Sequence, residues 1–386
     1  MKYPQRILNI SFYGAPVHGT KQFSGSVERQ KNYAKYVERF VMVVPDTEGS
    51  HEVRTEIADN FSYIALPSKG HVTFFINALK RAKELHKEEQ FTLITVDNPH
   101  IAGLLGLLLK KALGVPLLLH SMADMPFNKW YMRERWSNHI KNAISKIVLK
   151  KADYVRVSTE HEVARLKKHG VEDEKILHMH FYIDAEQFKE HLDSASVEHE
   201  RSGKSVLYLG RLGVQKDLST LIYAWSIVSR EVKDASLVVA GGGPEERALK
   251  KLSRNLQVEK SVIFTGAVPY DETASYFKNT DLFVTSSLYE GTCMVLHEAG
   301  LAKLPIVSTA HAGALDFIRN GEEGYTVKVR DHTALAERII EILQDSEQAQ
   351  KMGECACERV KDFSEEKSLQ KWEEFCKKTS KQKDDN

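Results

Sequence analysis

Asp281-Leu282-Phe283-Val284-Thr285 is a short apolar run, and Leu288-Tyr289-Glu290-Gly291-Thr292-Cys293-Met294-Val295-Leu296-His297-Glu298-Ala299 follows it closely. The run has the length and composition of a buried strand. Gly291 marks a loop, and a helical pattern of apolar residues begins near Met294. The order is strand, glycine-containing loop, helix, with Glu290 in the loop and Glu298 on the helix. A helix N-terminus presents free backbone N–H groups, a ready site for an anion. Carboxylates accept hydrogen bonds from hydroxyls. A ligand with hydroxyls at both ends and a diphosphate between them suits both properties.

The same alternation extends in both directions. Ser205-Val206-Leu207-Tyr208-Leu209-Gly210 reads as a strand and turn, followed by Arg211-Leu212-Gly213-Val214-Gln215-Lys216-Asp217. Gly210 and Gly213 permit a tight turn, so that both cations reach one pocket. An arginine fork and a lysine point charge together suit a diphosphate. Leu237–Ala240 runs into Gly241-Gly242-Gly243-Pro244, and Ser261–Thr265 runs into Gly266-Ala267-Val268. Pro305–Thr309 supplies a fifth strand, before Ala310-His311-Ala312-Gly313-Ala314. In the first half, strands are expected at Ile7–Tyr13, Phe40–Pro45, Tyr63–Leu66, Phe91–Val96, Pro116–His120, Tyr154–Ser158 and Ile176–Met179. Strands alternating with helices argue for parallel, helix-covered sheets.

The glutamate pair and the Gly210-Arg211-Leu212 run with Lys216 resemble the donor site of the family four retaining glycosyltransferases, which have the GT-B fold. The resemblance covers five strand–loop elements in the family's order. It implies two Rossmann-like α/β domains facing across a cleft. Residues 1–184 would form the acceptor side, 185–204 a solvated, charge-rich connection, and 205–362 the nucleotide-sugar domain. Residues 363–386 would supply a helix crossing back to the first domain, with a frayed tail from Thr379. The implied reaction moves a hexose from a nucleotide-diphosphate sugar to a hydroxyl acceptor with retention, using no cofactor and no metal.

The resemblance also implies roles. Arg211 and Lys216 hold the diphosphate, Glu298 the ribose and Glu290 the hexose. Gly210, Gly242, Gly266, Val268, Gly291, Thr292, Cys293 and Met294 line the donor. The 310–314 loop departs from the family's paired glycines. In the first domain, Gly25 stands in Phe23–Arg29, where the family has paired glycines. His120, at a strand end, matches the position that faces the transferred sugar. A GT-B sugar-nucleotide epimerase and an idle sugar-nucleotide-binding subunit remain as alternatives. His18, His100 and His161 read as structural or surface residues, and His297 lies on a helix face that sequence does not orient.

The 386 residues suffice for two cores, with 42% hydrophobic and 28% charged content. All four cysteines fall in the second half without metal-ligand spacing, which suits a reducing cytoplasm. The opening Met1-Lys2-Tyr3-Pro4 does not read as a leader, and no apolar run reaches the ~20 residues that span a bilayer. A net charge of +1 without a recognised module argues against nucleic acid. Residues 129–151 nevertheless hold seven basic residues and one acid. Met132, Trp136, Ile140, Ile144 and Ile147 or Val148 recur there at helical spacing. Either that stripe packs on the sheet under a solvated basic face, or the helix lies on an anionic membrane with Trp130, Tyr131 and Trp136 as interfacial aromatics. The second reading implies the inner face of the plasma membrane and a lipid-linked acceptor.

Overall fold

The computed structural model describes residues 2–13, 24–195 and 203–381. His18, Phe23, Ser196, Ser202 and residues 382–386 lie outside them. Two sheets organise the described chain. The first contains β1 (Tyr3–Ile10), β2 (Val37–Asp46), β3 (Val53–Ala58), β4 (Phe61–Pro67), β5 (Leu93–Val96), β6 (Leu117–Ser121), β7 (Tyr154–Val157) and β8 (Ile176–His178). Its strand order is β3-β4-β2-β1-β5-β6-β7-β8. The second contains β9 (Ser205–Leu209), β10 (Ser236–Ala240), β11 (Val262–Gly266), β12 (Leu282–Thr285), β13 (Ile306–Thr309) and β14 (Gly324–Val327), in the order β11-β10-β9-β12-β13-β14. Neighbours pair in parallel except β3 with β4.

The expected strands overlap the apolar runs, because parallel strands covered on both faces are apolar throughout, but the first begins earlier, at Tyr3, and ends at Ile10 and not at Tyr13. Strand β3 was not anticipated. Val53-Arg54-Thr55-Glu56-Ile57-Ala58 is an edge strand with no buried residue, and edges favour charge.

Alternation along the strands divides the first core in two. Leu8, Ile10, Val41, Val43, Ile94 and Val96 face the helices His71–Glu89, Ile101–Leu113 and Ser137–Lys151. Ile7, Phe40, Val44 and Leu118 face the other way, towards Tyr33 of the helix Ser24–Ala34. Trp372, Phe375 and Cys376 of the final helix, Glu365–Lys381, pack on this second face. Burying each such side chain contributes roughly 1.5–3 kcal/mol. The Trp372 indole N–H donates to the Tyr33 carbonyl at 3.1 Å. Gln5 reaches Thr379 and Ser380 at 2.9 and 2.7 Å, so the helix is held through those residues where sequence suggested fraying.

The charge-rich stretch after residue 184 begins as a helix, Ala185–Ser194. Asp184 caps it by accepting from the Gln187 N–H. Phe188 is buried against Phe277 of the second domain, with ring centroids 5.7 Å apart. One aromatic at the right phase gives this polar helix a docking face.

Candidate active site

Loops at the carboxyl ends of the second sheet assemble one half of the site, where open α/β sheets bind ligands. Gly210 closes β9 with φ of +152°. A Cβ on Gly241 would lie 2.0 Å from the Gly210 carbonyl oxygen, so these two turns touch through bare backbone. The Leu288 N–H donates to the Gln215 carbonyl at 2.8 Å, and the Ser286 hydroxyl to the Lys216 carbonyl at 2.9 Å. These bonds fix the 211–217 turn against the loop that follows β12.

Lys216 and Glu290 form an ion pair at 2.6 Å, with side chains 17% and 15% exposed. Gln215 Nε2 lies 3.5 Å from the same carboxylate oxygen. Burial pushes Glu290 up, but the Lys216 ammonium, His311 and the Gln215 amide together outweigh it and leave the carboxyl below its usual range. Burial likewise opposes the Lys216 charge, and Glu290 reverses that effect. Glu290 therefore serves first as the counter-ion that holds Lys216 in place. Arg211 is exposed and makes no ion pair among the described residues.

The rest of the turn is equally specific. Thr292 is buried, and its hydroxyl has no hydrogen-bond partner. Cys293 adopts φ of 55°, and burial next to Glu290 pushes its thiol up to about 12, so it stays protonated at neutral pH. Met294 opens the helix Met294–Leu301. Glu298 is 6% exposed, and burial raises it to about 7. Gly266 has φ of +79°, Val268 is half-buried, and Gly242 packs on Ala267. His297 points away from the site, between the rings of Phe317 and Phe363, and is a core residue held neutral by burial.

Sequence reasoning missed His311. It caps the helix Ala312–Phe317 by accepting from the Ala314 N–H, and it lies in the field of both Glu290 and Lys216. The chain uses an imidazole cap where the family has glycines. A buried histidine immediately after a strand was the available signal.

The first sheet supplies the other half as a cavity of about 320 Å³ lined by Asn9, Met42, Tyr63, Asp97, His120 and Arg156. Register explains the grouping. Asn9 pairs with Met42 and Met42 with Tyr63, while His120 pairs with Arg156 on the adjoining strands. Partners in register present side chains to the same face. Burial, with Arg156 beside it, lowers His120 to about 3, so the imidazole is neutral and able to accept. Asn9 Oδ1, Asp97 Oδ2 and Arg156 Nε are buried without hydrogen-bond partners. Arg156 is 1% exposed and lies over the rings of Tyr33 and Phe181, with no carboxylate partner among the described residues. Arg29 also lines the cavity and approaches Phe181. Asp97 is raised to about 7, chiefly by burial. Of these, sequence reasoning found only His120. The signal for the rest was polar residues interrupting apolar strands, as in Ile7-Leu8-Asn9-Ile10 and Tyr154-Val155-Arg156-Val157.

Gly25 is the second residue of the helix Ser24–Ala34. His100 is structural: Nδ1 lies 2.8 Å from the Ser145 hydroxyl, and the ring stacks on Tyr131. His161 is exposed.

The two halves meet at Gly291. A Cβ there would fall 2.0 Å from the Met122 carbonyl oxygen, in the loop after β6. The Tyr289 hydroxyl donates to Glu134 at 2.7 Å, and its ring meets Tyr131 edge-on. Tyr131 is thus an interdomain contact and not an interfacial aromatic. Residues 129–151 form two helices, Lys129–Glu134 and Ser137–Lys151. The stripe expected to act as one surface is divided: Val148 is buried, while Trp136, Ile140 and Ile147 are exposed by 77%, 52% and 52%. The inner face uses Asn138, Asn142 and Ser145. No described helix is long and apolar enough to cross a membrane.

The fold and the paired loops define a two-domain scaffold with a cleft between its sheets, and the comparisons agree. The Glycosyltransferase Family 4 model matches residues 37–187, and the Glycosyl transferases group 1 model matches residues 186–359. The chain belongs to the family four glycosyltransferases and has the GT-B fold. It is 32% identical over 173 residues to N-acetyl-alpha-D-glucosaminyl L-malate synthase of Bacillus anthracis, covering 45% of each chain. It is 26% identical over 251 residues to alpha-monoglucosyldiacylglycerol synthase of Streptococcus pneumoniae, covering 61% of this chain and 55% of that one. The chain spans about half the length of these curated relatives. Sucrose-phosphate synthase from Thermosynechococcus elongatus superposes with a TM-score of 0.79 over 97% of this chain and 98% of the other, at 20% identity, a likeness of fold.

Glu298 gives a first testable outcome. Above pH 7 its carboxyl is charged, and hydrogen bonds to a charged acceptor contribute about 1.5–3 kcal/mol. Glu298→Gln should weaken nucleoside diphosphate binding roughly tenfold or more at pH 8 by calorimetry. The gap should narrow below pH 7, where the wild-type acid becomes neutral like the amide. Equal binding at pH 8 would contradict a ribose role.

Proposed function

We propose that the chain transfers a hexose from a nucleotide-diphosphate sugar, with retention and without a metal, to a hydroxyl of an anionic acceptor held at a membrane surface. The leaving diphosphate lies between Arg211 and the preorganised Lys216 and takes the acceptor's proton during front-face substitution. Stabilising charge that develops on the leaving group is then the main contribution of the protein. His120 accepts from a hydroxyl of the transferred sugar.

The observation that carries the acceptor assignment is Arg156, buried beside Arg29 in that cavity with an orphaned Nε and no carboxylate partner among the described residues, its Nη2 donating to the Tyr33 hydroxyl at 2.9 Å. The orphaned Asn9 Oδ1 and Asp97 Oδ2 are acceptors and suit hydroxyls of the same ligand. An uncompensated buried charge is costly, and an anionic ligand removes the cost. The name of one relative contains malate, an anion, and that of the other a diacylglycerol lipid. The membrane assignment rests on Trp136, Ile140 and Ile147, exposed on a helix that also exposes Lys146 and Lys150, with Arg133 and Arg135 just before it. Basic residues at an anionic surface contribute about 1 kcal/mol each. Free, exposed Cys355 suits the reducing, cytoplasmic side.

The test is nucleoside diphosphate release from a panel of sugar nucleotides, with neutral and anionic acceptors, free and in vesicles. Arg156→Met keeps the volume and removes a buried charge, so the fold should persist. The acceptor KM should rise at least tenfold with donor affinity unchanged. An unchanged acceptor KM sinks the anionic reading. Trp136→Ser with Ile140→Ser should abolish co-sedimentation with anionic vesicles at low salt. If the unsubstituted chain stays in the supernatant, the membrane part of the reading fails and a soluble acceptor takes its place.

A further inference from the structure

Away from the cleft, His178, His180 and Asp316 bring their ligand atoms within 4.8 Å of one another. His178 ends β8, and His180 lies two residues further on in the first domain, so both rings leave the same side of an extended chain. Asp316 belongs to the helix Ala312–Phe317 of the second domain. The arrangement around the rings is that of metal-binding histidines. His180 Nδ1 lies 3.1 Å from the Ser158 carbonyl, which only accepts, so Nδ1 carries the proton and Nε2 keeps its lone pair. His178 Nδ1 lies 3.1 Å from a Glu160 carboxylate oxygen, which likewise fixes the proton there. His178 Nε2 is buried and has no hydrogen-bond partner. Ligating imidazoles typically donate their second nitrogen to a carbonyl or carboxylate in this way. Asp316 is oriented too, since one oxygen accepts from the Glu160 N–H at 2.7 Å. Arg359 spends its donors on the Asp316 and Phe317 carbonyls and on Asp362.

We propose that His178, His180 and Asp316 form a site for a divalent transition-metal ion such as zinc, with water in the fourth position, that ties the two domains together. Two imidazoles and one carboxylate are a donor set for such ions. Bonds near 2.0 Å require donors roughly 3.3 Å apart, so side-chain rotations of about an ångström close the set. Asp316 lies three residues beyond Gly313, whose Cβ would fall 2.1 Å from the Gly291 carbonyl oxygen. A metal there would hold the donor-side loops against the first domain. The site takes no part in the transfer chemistry, so its test does not depend on the proposed reaction.

The experiment titrates untagged full-length chain, with Cys355→Ser and Cys357→Ser to remove competing thiols, using Co²⁺ alone. One equivalent should bind, with visible d–d absorption and no sulfur charge-transfer band. His180→Gln and Asp316→Asn should each weaken binding at least tenfold. Hydrogen exchange should slow on metal binding in both Glu160–Lys168 and Ala312–Phe317, and not in Asp316→Asn. No saturable binding up to about 100 μM, a Kd that excludes even modest affinity, overturns the site. Affinity in either variant equal to that of the unsubstituted chain, or protection on one domain only, overturns it as well. Circular dichroism of each variant identifies a failure to fold, and His178→Gln provides a second, independent ligand deletion.

Discussion

Arg211→Ala should lower turnover by about two to three orders of magnitude, the scale for losing one preorganised transition-state contact. Arg211 is exposed and unpaired among the described residues, so the melting temperature should not change. Lys216→Ala should lose turnover to a similar extent and stability as well. Its removal leaves Glu290 mostly buried without its counter-ion, and breaking a buried pair costs about 3–5 kcal/mol, less here because both groups keep some exposure. Pre-steady-state nucleoside diphosphate release and thermal melts separate the two effects. Full turnover in either variant would overturn the diphosphate assignment, and an unchanged melt in Lys216→Ala would show that the ion pair is not structural.

Gly291→Ala should damage turnover by forcing the two domains apart. The added carbon would lie 2.0 Å from the Met122 carbonyl oxygen, a backbone atom that no side-chain rotation moves. The domains must separate by an ångström or more to admit it. Misplacement on that scale costs about a hundredfold when reacting groups sit on opposite walls. Turnover should therefore fall about a hundredfold, with nucleoside diphosphate affinity changed little, because the donor half stays intact. Gly114→Ala is the control: Gly114 ends the helix Ile101–Leu113 at the sheet end opposite the cleft, and an added Cβ there meets nothing within 4 Å, so its cost is confined to the left-handed backbone at φ of +67°. Equal activity of the two variants would show that the observed closure is not the catalytic one.

Much of this molecule is legible in its sequence because its dominant forces are local and repetitive. A parallel strand covered on both faces must be apolar along its whole length, so Phe283, Val284, Leu207 and Val239 announce their strands without help from distant residues. The turns after them need glycine at Gly210, Gly241 and Gly266, where φ is positive. Arg211, Lys216, Glu290 and Glu298 sit in such turns or just beyond one, and spacing alone places them at one sheet edge.

Tertiary structure decided what depends on register, phase and contact. Asn9, Asp97 and Arg156 are isolated oddities in three apolar segments until strand pairing puts them around one cavity. The apolar pattern of residues 132–148 reads as one helix, hiding the break between Lys129–Glu134 and Ser137–Lys151, and does not tell which face looks inward. Asn138, Asn142 and Ser145 take the inner face there, while Trp136 and Ile140 are left outside. Tyr131 and Tyr289 lie more than a hundred residues apart, and only domain closure makes them neighbours. His178 and Asp316 likewise meet only across that interface. Sequence determined the alternating α/β class through burial periodicity and turn geometry, and the family resemblance supplied the proposed donor-side residues. The first-sheet cavity, the exposed apolar face and the interdomain cluster arise from packing between segments far apart in the chain, which no local pattern encodes.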